Sequence, residues 1–308
     1  MKTAHPILVL FVISTLLSAC NKVDLPIPKP DVVVGSGDIE FPKVDSASVN
    51  RSYKKTYVEE FTGHKCITCP ANTALLIAQQ EANKERMIVA AVHAGSFATV
   101  DEPKYPTDFN TPYGTALFQQ FNMATQPIPS AVVNRRSFAS FNDLKIFNQA
   151  TTFWDKPIDE ENTNTSTDFG LGLAADYIDS LDVFYIKSSI EVLNSVNGNY
   201  RLLILCMEDS IVAEQLDGRV KEEDYPDKIV TDYVHRHVLR GKLSTDQSLD
   251  GDPLISGNVS AATWIDYELN AAMPAKVVNK ENTHIIALIV NADNQEVVQS
   301  EEVHVHVK

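Results

Sequence analysis

The chain has 308 residues, enough for about two domains at roughly 100–200 residues each. Hydrophobic residues make up 44% and charged residues 22%, which excludes a wholly disordered chain and a collagen-like repeat. Acidic residues outnumber basic residues by 41 to 26, giving a net charge of −15. Because an acidic surface repels phosphate backbones and the sequence has no dense basic stretch, we expect no nucleic-acid partner.

Residues 1–19 have the features of a secretory signal peptide. Lys2 precedes an apolar run over residues 7–17, which is too short to span a membrane and ends at Leu17-Ser18-Ala19-Cys20. Leu-Ser-Ala-Cys resembles the lipobox of bacterial lipoproteins, and the resemblance implies cleavage after Ala19 and lipid on the Cys20 thiol. The alternative is a secreted protein in which this cysteine is coincidental. Cleavage removes Lys2 and no acid, so the net charge changes from −15 to −16.

Residues 20–50 are expected to form a lipidated tether. Pro26, Pro28 and Pro30 favour extended backbone, and this stretch has no helical spacing of apolar residues. Several acyl chains anchor a protein stably where a single chain does not. We therefore expect a soluble body held at a membrane by lipid, in an oxidising compartment.

Residues 57–93 have the pattern strand, Cys-x-x-Cys, helix, strand. The strand patterns are 57–61 and 87–93, and helix formers occupy 71–86 between them. This context makes Cys66 and Cys69 candidates for redox chemistry. Unpaired N–H groups at a helix start stabilise a thiolate, so Cys66 would attack and Cys69 would resolve the mixed disulfide.

The next residues extend the resemblance to a thioredoxin fold over residues 51–157. A helix is expected over 113–123, a strand over 130–133, and a last helix over 141–154 that ends at Pro157. In the thioredoxin family a cis proline opens the strand facing the cysteine pair, and Pro129 matches that position. By that resemblance Pro129 would shape a peptide-binding groove. Two departures leave the redox potential and substrate range open: Lys65 replaces the usual Trp, and the inner dipeptide is Ile67-Thr68.

Two other interpretations of the cysteine pair remain open. A structural disulfide is the stronger one, since an oxidising compartment can simply keep the pair oxidised. A zinc site would need two more ligands, for which His235 with His237, or His304 with His306, are the candidates. Cys206 lies in an apolar run and is expected in the core. Asp246, Asp250 and Asp252 lack the spacing of a calcium loop and are interpreted as a solvated turn. No metal and no cofactor are predicted.

Residues 158–308 are predicted to form an antiparallel β-sandwich of about seven strands. Strand patterns cover 171–177, 183–193, 200–207, 264–269, 284–291 and 296–307, and Asn197-Gly198 is typical of a hairpin turn. A long excursion over 210–258 interrupts the pattern, and long insertions in sandwiches are often binding loops. It holds five candidate partner-binding residues: Tyr233, His235, Arg236, His237 and Arg240. A loop packed against the sheet is the alternative.

Three stretches resemble the lipoproteins related to the 28 kDa outer membrane protein (Omp-28-related): 58–70, 233–240 and 279–299. The resemblance covers nearly all of the chain after Cys20 and implies attachment to the outer membrane of a Gram-negative cell, on either face. Two functional hypotheses follow. In the first, the chain is a binding or surface-interaction protein for an unknown protein or peptide, with the thioredoxin-like domain as scaffold. In the second, it is a thiol–disulfide oxidoreductase acting through Cys66 and Cys69.

Overall fold

The computed structural model describes residues 40–308, except 85, 150–152 and 165. The predicted signal peptide, Cys20 and most of the tether lie outside the described residues. The helices are α1 (Cys69–Ala82), α2 (Pro112–Gln120) and α3 (Asp155–Thr163). The first four strands are β1 (Thr56–Thr62), β2 (Met87–His93), β3 (Ser130–Val133) and β4 (Ile146–Phe147).

Residues 51–163 build a four-stranded segment of mixed sheet with helices on both faces. The strand order is β2-β1-β3-β4, with β1 parallel to β2 and antiparallel to β3. Leu76 of α1 and Ile158 of α3 share one buried cluster, while Leu117 of α2 lies in another with Phe61 of β1. Strands β1, β2 and β3 and helices α1 and α2 lie where the sequence predicts them.

The helix predicted over 141–154 is wrong. Strand β4 occupies the middle of this stretch, and α3 begins only at Asp155. The aromatic residues of this stretch fill the core beside α1, where Phe147 and Trp154 are fully buried. Pro157 does not end the helix but sits in its first turn, where a missing N–H costs nothing.

The remaining chain is almost entirely strand, as the sequence predicts. Its elements are β5 (Phe169–Ile178), β6 (Val183–Val192), β7 (Val196–Glu208), β8 (Ile211–Leu216), β9 (Ile229–His235), β10 (Val238–Lys242), β11 (Asp252–Val259), β12 (Thr263–Ala272), β13 (Thr283–Asn291), β14 (Val297–His304) and β15 (His306–Val307). A four-stranded sheet, β12-β6-β5-β15, shares a hydrophobic cluster with β7, β11 and β13.

The hairpin predicted at Asn197-Gly198 is wrong. Both residues lie inside β7, opposite Asn258 and Gly257 of β11. The chain instead crosses between 192 and 196 from the four-stranded sheet to the sheet that contains β7. The Asn-Gly pair can lie within a strand here because the neighbouring strand β11 pairs with both residues.

One nine-stranded sheet runs through both halves of the chain, in the order β14-β13-β7-β10-β2-β1-β3-β4 with β11 also on β7. Strand β10 makes the connection, since it pairs with β7 and also with β2 through Val238 opposite Ala91. The Ala91 N–H donates to the carbonyl of His237 at 2.7 Å. The segment 210–258 therefore contributes β10 and β11 to this sheet, while β8 and β9 pair as a separate two-stranded ribbon.

Candidate functional site

Cys66 and Cys69 form a disulfide at the start of α1. Cys69 is the first residue of the helix, and the two Cα atoms are 5.4 Å apart. The preceding turn needs a glycine at position 63, because a Cβ there would lie 2.4 Å from the carbonyl oxygen of Phe97. Both cysteines are buried, with 2% of Cys66 and 1% of Cys69 exposed.

Pro129 lies beside this disulfide and follows a cis peptide bond from Ile128. It is buried and immediately precedes β3. The carbonyl oxygen of Ile128 is 3.6 Å from Sγ of Cys66, and Oγ1 of Thr68 is 3.7 Å from the same sulfur. The structure thus brings together Cys66, Cys69 and Pro129, the three residues of the redox hypothesis.

The ribbon formed by β8, β9 and the turn after β8 covers the Cys-x-x-Cys loop. The Leu216 N–H donates to the carbonyl of His64 at 2.7 Å, and the Gly218 N–H donates to the carbonyl of Ile67 at 2.9 Å. Between them, Nε2 of Gln215 donates to the carbonyl of Cys66 at 3.2 Å. The ribbon therefore occupies the backbone carbonyls of three successive parts of the loop.

A cluster of aromatic and imidazole rings packs the ribbon onto the sheet. The ring of Phe109 lies at its centre, 4.6 Å from the rings of His93 and His235 and 5.5 Å from that of His64. Burial lowers the pKa of all three histidines, to about 3 for His235. These imidazoles are therefore neutral at pH 7 and pack as apolar rings.

Glu60, which the sequence reasoning missed, is a fully buried carboxyl on β1. It lines a cavity of about 20 Å³ together with Cys69 and Tyr233, a volume that holds about one water molecule. One carboxyl oxygen accepts from Oγ1 of Thr73 at 2.6 Å, and the other has no hydrogen-bond partner among the described residues. Burial raises the pKa of Glu60 to about 7.

The neighbouring Glu59 is also buried, but on the opposite face of β1 it meets a cation. The guanidinium of Arg135 donates to its carboxylate at 2.5 Å, and both side chains are fully buried. The adjacent acids of the Val58-Glu59-Glu60-Phe61 strand were the available sequence signal, since a buried strand places successive residues on opposite faces. Of these two glutamates, Glu60 is the one for which the described residues provide no cation partner.

The five candidate partner-binding residues do not form one surface. His235 is buried in the ring cluster, and Arg240 is buried with its Nε donating to Glu208 at 2.6 Å. Arg236 is exposed, while Tyr233 and His237 are half-buried. Of the set, Arg236, Tyr233 and His237 are the residues that solvent reaches.

The other predicted sites have local explanations. In the part of the chain that the structure describes, no group of three His, Cys, Asp or Glu side chains is placed to hold a metal ion. Asp246 pairs with Arg201 at 2.7 Å, and Asp252 accepts from Thr245 in the same turn. Cys206 is buried with a free thiol, and burial raises its pKa. Among described residues no helix has the length and apolarity needed to cross a membrane.

Comparison with protein families gives a match over residues 115–308, to the family described as outer membrane protein Omp28. The chain belongs to the Omp28 family. The description of the family places its members at the outer membrane, and this location holds for the present chain. The matched range includes Pro129 and the ribbon but begins after the Cys-x-x-Cys loop.

A solved structure, that of HBP35, has a similar fold. HBP35 of Porphyromonas gingivalis is 17% identical, with a TM-score of 0.59 over 82% of this chain and 76% of that one. A domain of the outer membrane lipoprotein Omp28 from the same organism is 15% identical, with a TM-score of 0.30 over 46% of this chain and 91% of that one. No curated protein matches the sequence. At these identities the comparison with HBP35 extends to the fold alone.

Proposed function

We propose that this Omp28-family chain is a binding protein tethered to the outer membrane by lipid on Cys20, with a structural Cys66–Cys69 disulfide. Its body comprises a thioredoxin-like scaffold over 51–157 and a β-sandwich over 158–308. The strand order β2-β1-β3-β4, the cysteine pair at the start of α1 and the cis Pro129 before β3 support the thioredoxin-like assignment.

One observation carries the proposal: the ribbon covers the disulfide with one face and presents the other face to solvent. Exchange requires a thiolate to reach a disulfide sulfur. Here Cys66 is buried, and the ribbon is hydrogen-bonded to the backbone carbonyls of His64, Cys66 and Ile67. A disulfide that is buried in this way stabilises the loop and does not undergo thiol–disulfide exchange.

The outer face of the ribbon is the proposed partner surface. Val212 and Val234 are cross-strand neighbours, with 64% and 44% of their surface exposed. Arg236 and Asp232 flank this pair and are also exposed. Exposed apolar side chains bordered by charge are typical of protein-binding surfaces. The ribbon holds them rigidly because Tyr233 and His235 point inward to the core of the site.

Reduction potential tests the structural role of the disulfide. We expect a value below about −300 mV, the range of structural disulfides. The double substitution Cys66→Ala/Cys69→Ala should lower the free energy of unfolding by about 2 kcal/mol, since the closed loop has a sequence separation of only 3. A potential near those of exchange enzymes, with no loss of stability in the double variant, would contradict the assignment.

Site-specific photo-crosslinking in intact cells tests the partner surface. A photoreactive amino acid at position 212 or 234 should give a discrete adduct, whereas position 278 should not. Val278 is the matched control because it is 75% exposed and lies outside the ribbon. Equal labelling at all three positions would show that the ribbon face has no preferred partner.

A second candidate function is thiol–disulfide exchange, favoured by the cis Pro129 and by Glu60 near Cys69. In this reaction a donor dithiol first reduces the Cys66–Cys69 disulfide and is itself oxidised to a disulfide. The Cys66 thiolate then attacks a partner disulfide and forms a mixed disulfide, releasing one partner thiol. Cys69 then displaces the second partner sulfur, so that the pair is oxidised and the partner gains two electrons. Glu60 is placed in the same cavity as Cys69 to take up the thiol proton. The ribbon must move before Cys66 can react.

Insulin reduction distinguishes the two functions. Exchange activity predicts turnover with dithiothreitol that Cys66→Ser abolishes, together with a depressed pKa of the Cys66 thiol in the reduced protein. The structural assignment predicts no turnover above the reagent alone for either protein.

A further inference from the structure

A groove separate from the disulfide lies between α2 and the segment that follows β12. It has a volume of about 510 Å³, within the range of roughly 300–1,000 Å³ typical of small-molecule sites. Its walls are mainly apolar and include Ala116 of α2, Leu243, Leu249 and Pro274. The groove is thus large enough for an alkyl chain or a small ring system.

All the charged residues that line this groove are cations. They are Arg240, Lys242 and Lys276, and no acidic residue joins them. In a chain with 41 acidic and 26 basic residues, an apolar groove lined by cations alone is a local reversal of charge. Charge complementarity therefore favours an anionic occupant.

The three cations differ in how their charges are offset. Arg240 is buried beside Glu208, and Lys276 pairs with Asp108 at 2.6 Å on the rim. Nζ of Lys242 donates to the carbonyl oxygens of Asp246 and Ser248, and no carboxylate lies within 4 Å of it in the described part of the chain. Burial lowers the pKa of Lys242, and the more distant carboxylates of Asp252 and Asp246 oppose this effect only in part.

We propose that this groove binds an amphipathic monoanion, with the anionic head at Lys242 and an alkyl body along Ala116, Leu249 and Pro274. The head would compensate the charge of Lys242, and the body would remove apolar surface from water. The proposal concerns a surface distinct from the ribbon and does not depend on the function of the disulfide.

Calorimetric titration of the full mature chain with decanoate tests the groove. Decanoate should bind, while decanol, which has the same body without the charge, and acetate, which has the charge without the body, should bind at least tenfold more weakly. Ala116→Trp fills the groove and should abolish decanoate binding. Thr115→Trp adds the same ring at the adjacent exposed position of α2 and should leave binding unchanged.

A second pair of variants tests the position of the head. Lys242→Met should weaken decanoate binding about tenfold and leave decanol binding unchanged. Lys221→Met makes the same change on an exposed loop, outside the groove, and should have no effect. The proposal is overturned if decanoate and decanol bind equally, if Ala116→Trp binds like the unmodified chain, or if decanoate does not bind. Binding that Ala116→Trp abolishes but Lys242→Met leaves intact would overturn the placement of the head.

Discussion

At the scale of single residues, the fold changes the protonation of the Glu60 carboxyl. Its pKa rises from 4.5 to about 7 because the side chain is buried, and the hydrogen bond from Thr73 opposes only part of this rise. Between these two values the folded chain holds a proton that the unfolded chain has released, so stability falls as pH rises. Relative to Glu60→Gln, the unmodified chain should lose about 3 kcal/mol of unfolding free energy between pH 4 and pH 8.

Urea unfolding of both proteins across this pH range measures the difference. Glu40→Gln is the control, since Glu40 is an exposed carboxyl at the edge of the described residues. Parallel pH profiles for Glu60→Gln and the unmodified chain would show that Glu60 ionises normally in the folded protein.

His235 has the opposite pH dependence. Burial lowers its pKa from 6.5 to about 3, so in the folded chain it stays neutral while the unfolded chain takes up a proton below pH 6.5. Its contribution to stability is therefore present at high pH and is lost as pH falls. Lowering the pH from 8 to 5 should reduce the contribution of His235 to the free energy of unfolding by about 2 kcal/mol.

His235→Phe keeps a ring beside Phe109 and should remove this part of the acid sensitivity. At pH 8 the variant should be about 1 kcal/mol less stable, because the ring no longer hydrogen-bonds the carbonyl of Glu214. Chemical denaturation at pH 8 and pH 5 measures the loss of stability at pH 8 and the change in stability between the two pH values. His306→Phe, at an exposed position, should keep the full acid sensitivity. If His235→Phe retained it as well, other groups would be responsible.

The residues of the site were predictable to different degrees. Cys66, Cys69 and Pro129 could be placed together because a motif at a helix start and a proline before a strand are local patterns. Glu60 could not be recognised, since only the packing of the ribbon and α1 decides that its side chain is enclosed. His235 and Arg240 looked like surface residues for the same reason: their burial depends on Phe109 and Glu208, which are distant in sequence.

At the scale of elements, we expect the ribbon to control access to the disulfide. Gly218 lies against the Cys-x-x-Cys loop, and a Cβ at this position would be 3.1 Å from the carbonyl oxygen of Ile67 and 3.2 Å from its side chain. Gly218→Val should therefore push the ribbon away at a cost of about 1 kcal/mol, raising the open population and the rate of reduction by dithiothreitol roughly fivefold.

The control for this prediction is Gly198→Val in β7. A Cβ there makes an ordinary contact of 3.4 Å with Tyr200, far in sequence from the loop. Thiol trapping followed by mass spectrometry gives the reduction rate of each variant. Equal rates for Gly218→Val and the unmodified chain would mean that the ribbon does not limit access to the sulfurs.

The packing of the ribbon on the Cys-x-x-Cys loop could not be predicted, although the residues of the ribbon suggested a binding segment. Strand β8 has few local signals, and its contacts with residues 64–67 join parts of the chain about 150 residues apart. The two mistaken elements have the same cause. The helix predicted over 141–154 and the turn predicted at Asn197-Gly198 rest on local sequence, which the core around Phe147 and the pairing with β11 override.

On the scale of the whole molecule, the sequence predicted the β-rich second half but not its junction with the first. Residues 51–157 and 158–308 share a hydrophobic cluster in which Phe61 and Leu117 meet Leu205 and Leu288. The junction also carries buried polar contacts, such as Nζ of Lys54 with Glu161 and Glu296. Each apolar residue of the junction looks like an ordinary core residue in the sequence. No sequence pattern therefore predicts that the two halves are joined there.

Because one sheet and one hydrophobic cluster span both halves, the described body should unfold in a single cooperative transition. Leu117→Ala in α2 and Leu288→Ala in β13 each empty part of the shared cluster and should each cost about 2–5 kcal/mol. At about 2–4 °C per kcal/mol for a chain of this size, both substitutions should lower the same Tm by roughly 5–15 °C. Differential scanning calorimetry should show one peak for every protein, with equal calorimetric and van't Hoff enthalpies. Two peaks, each moved by only one of the two substitutions, would mean that the halves unfold independently despite the shared sheet.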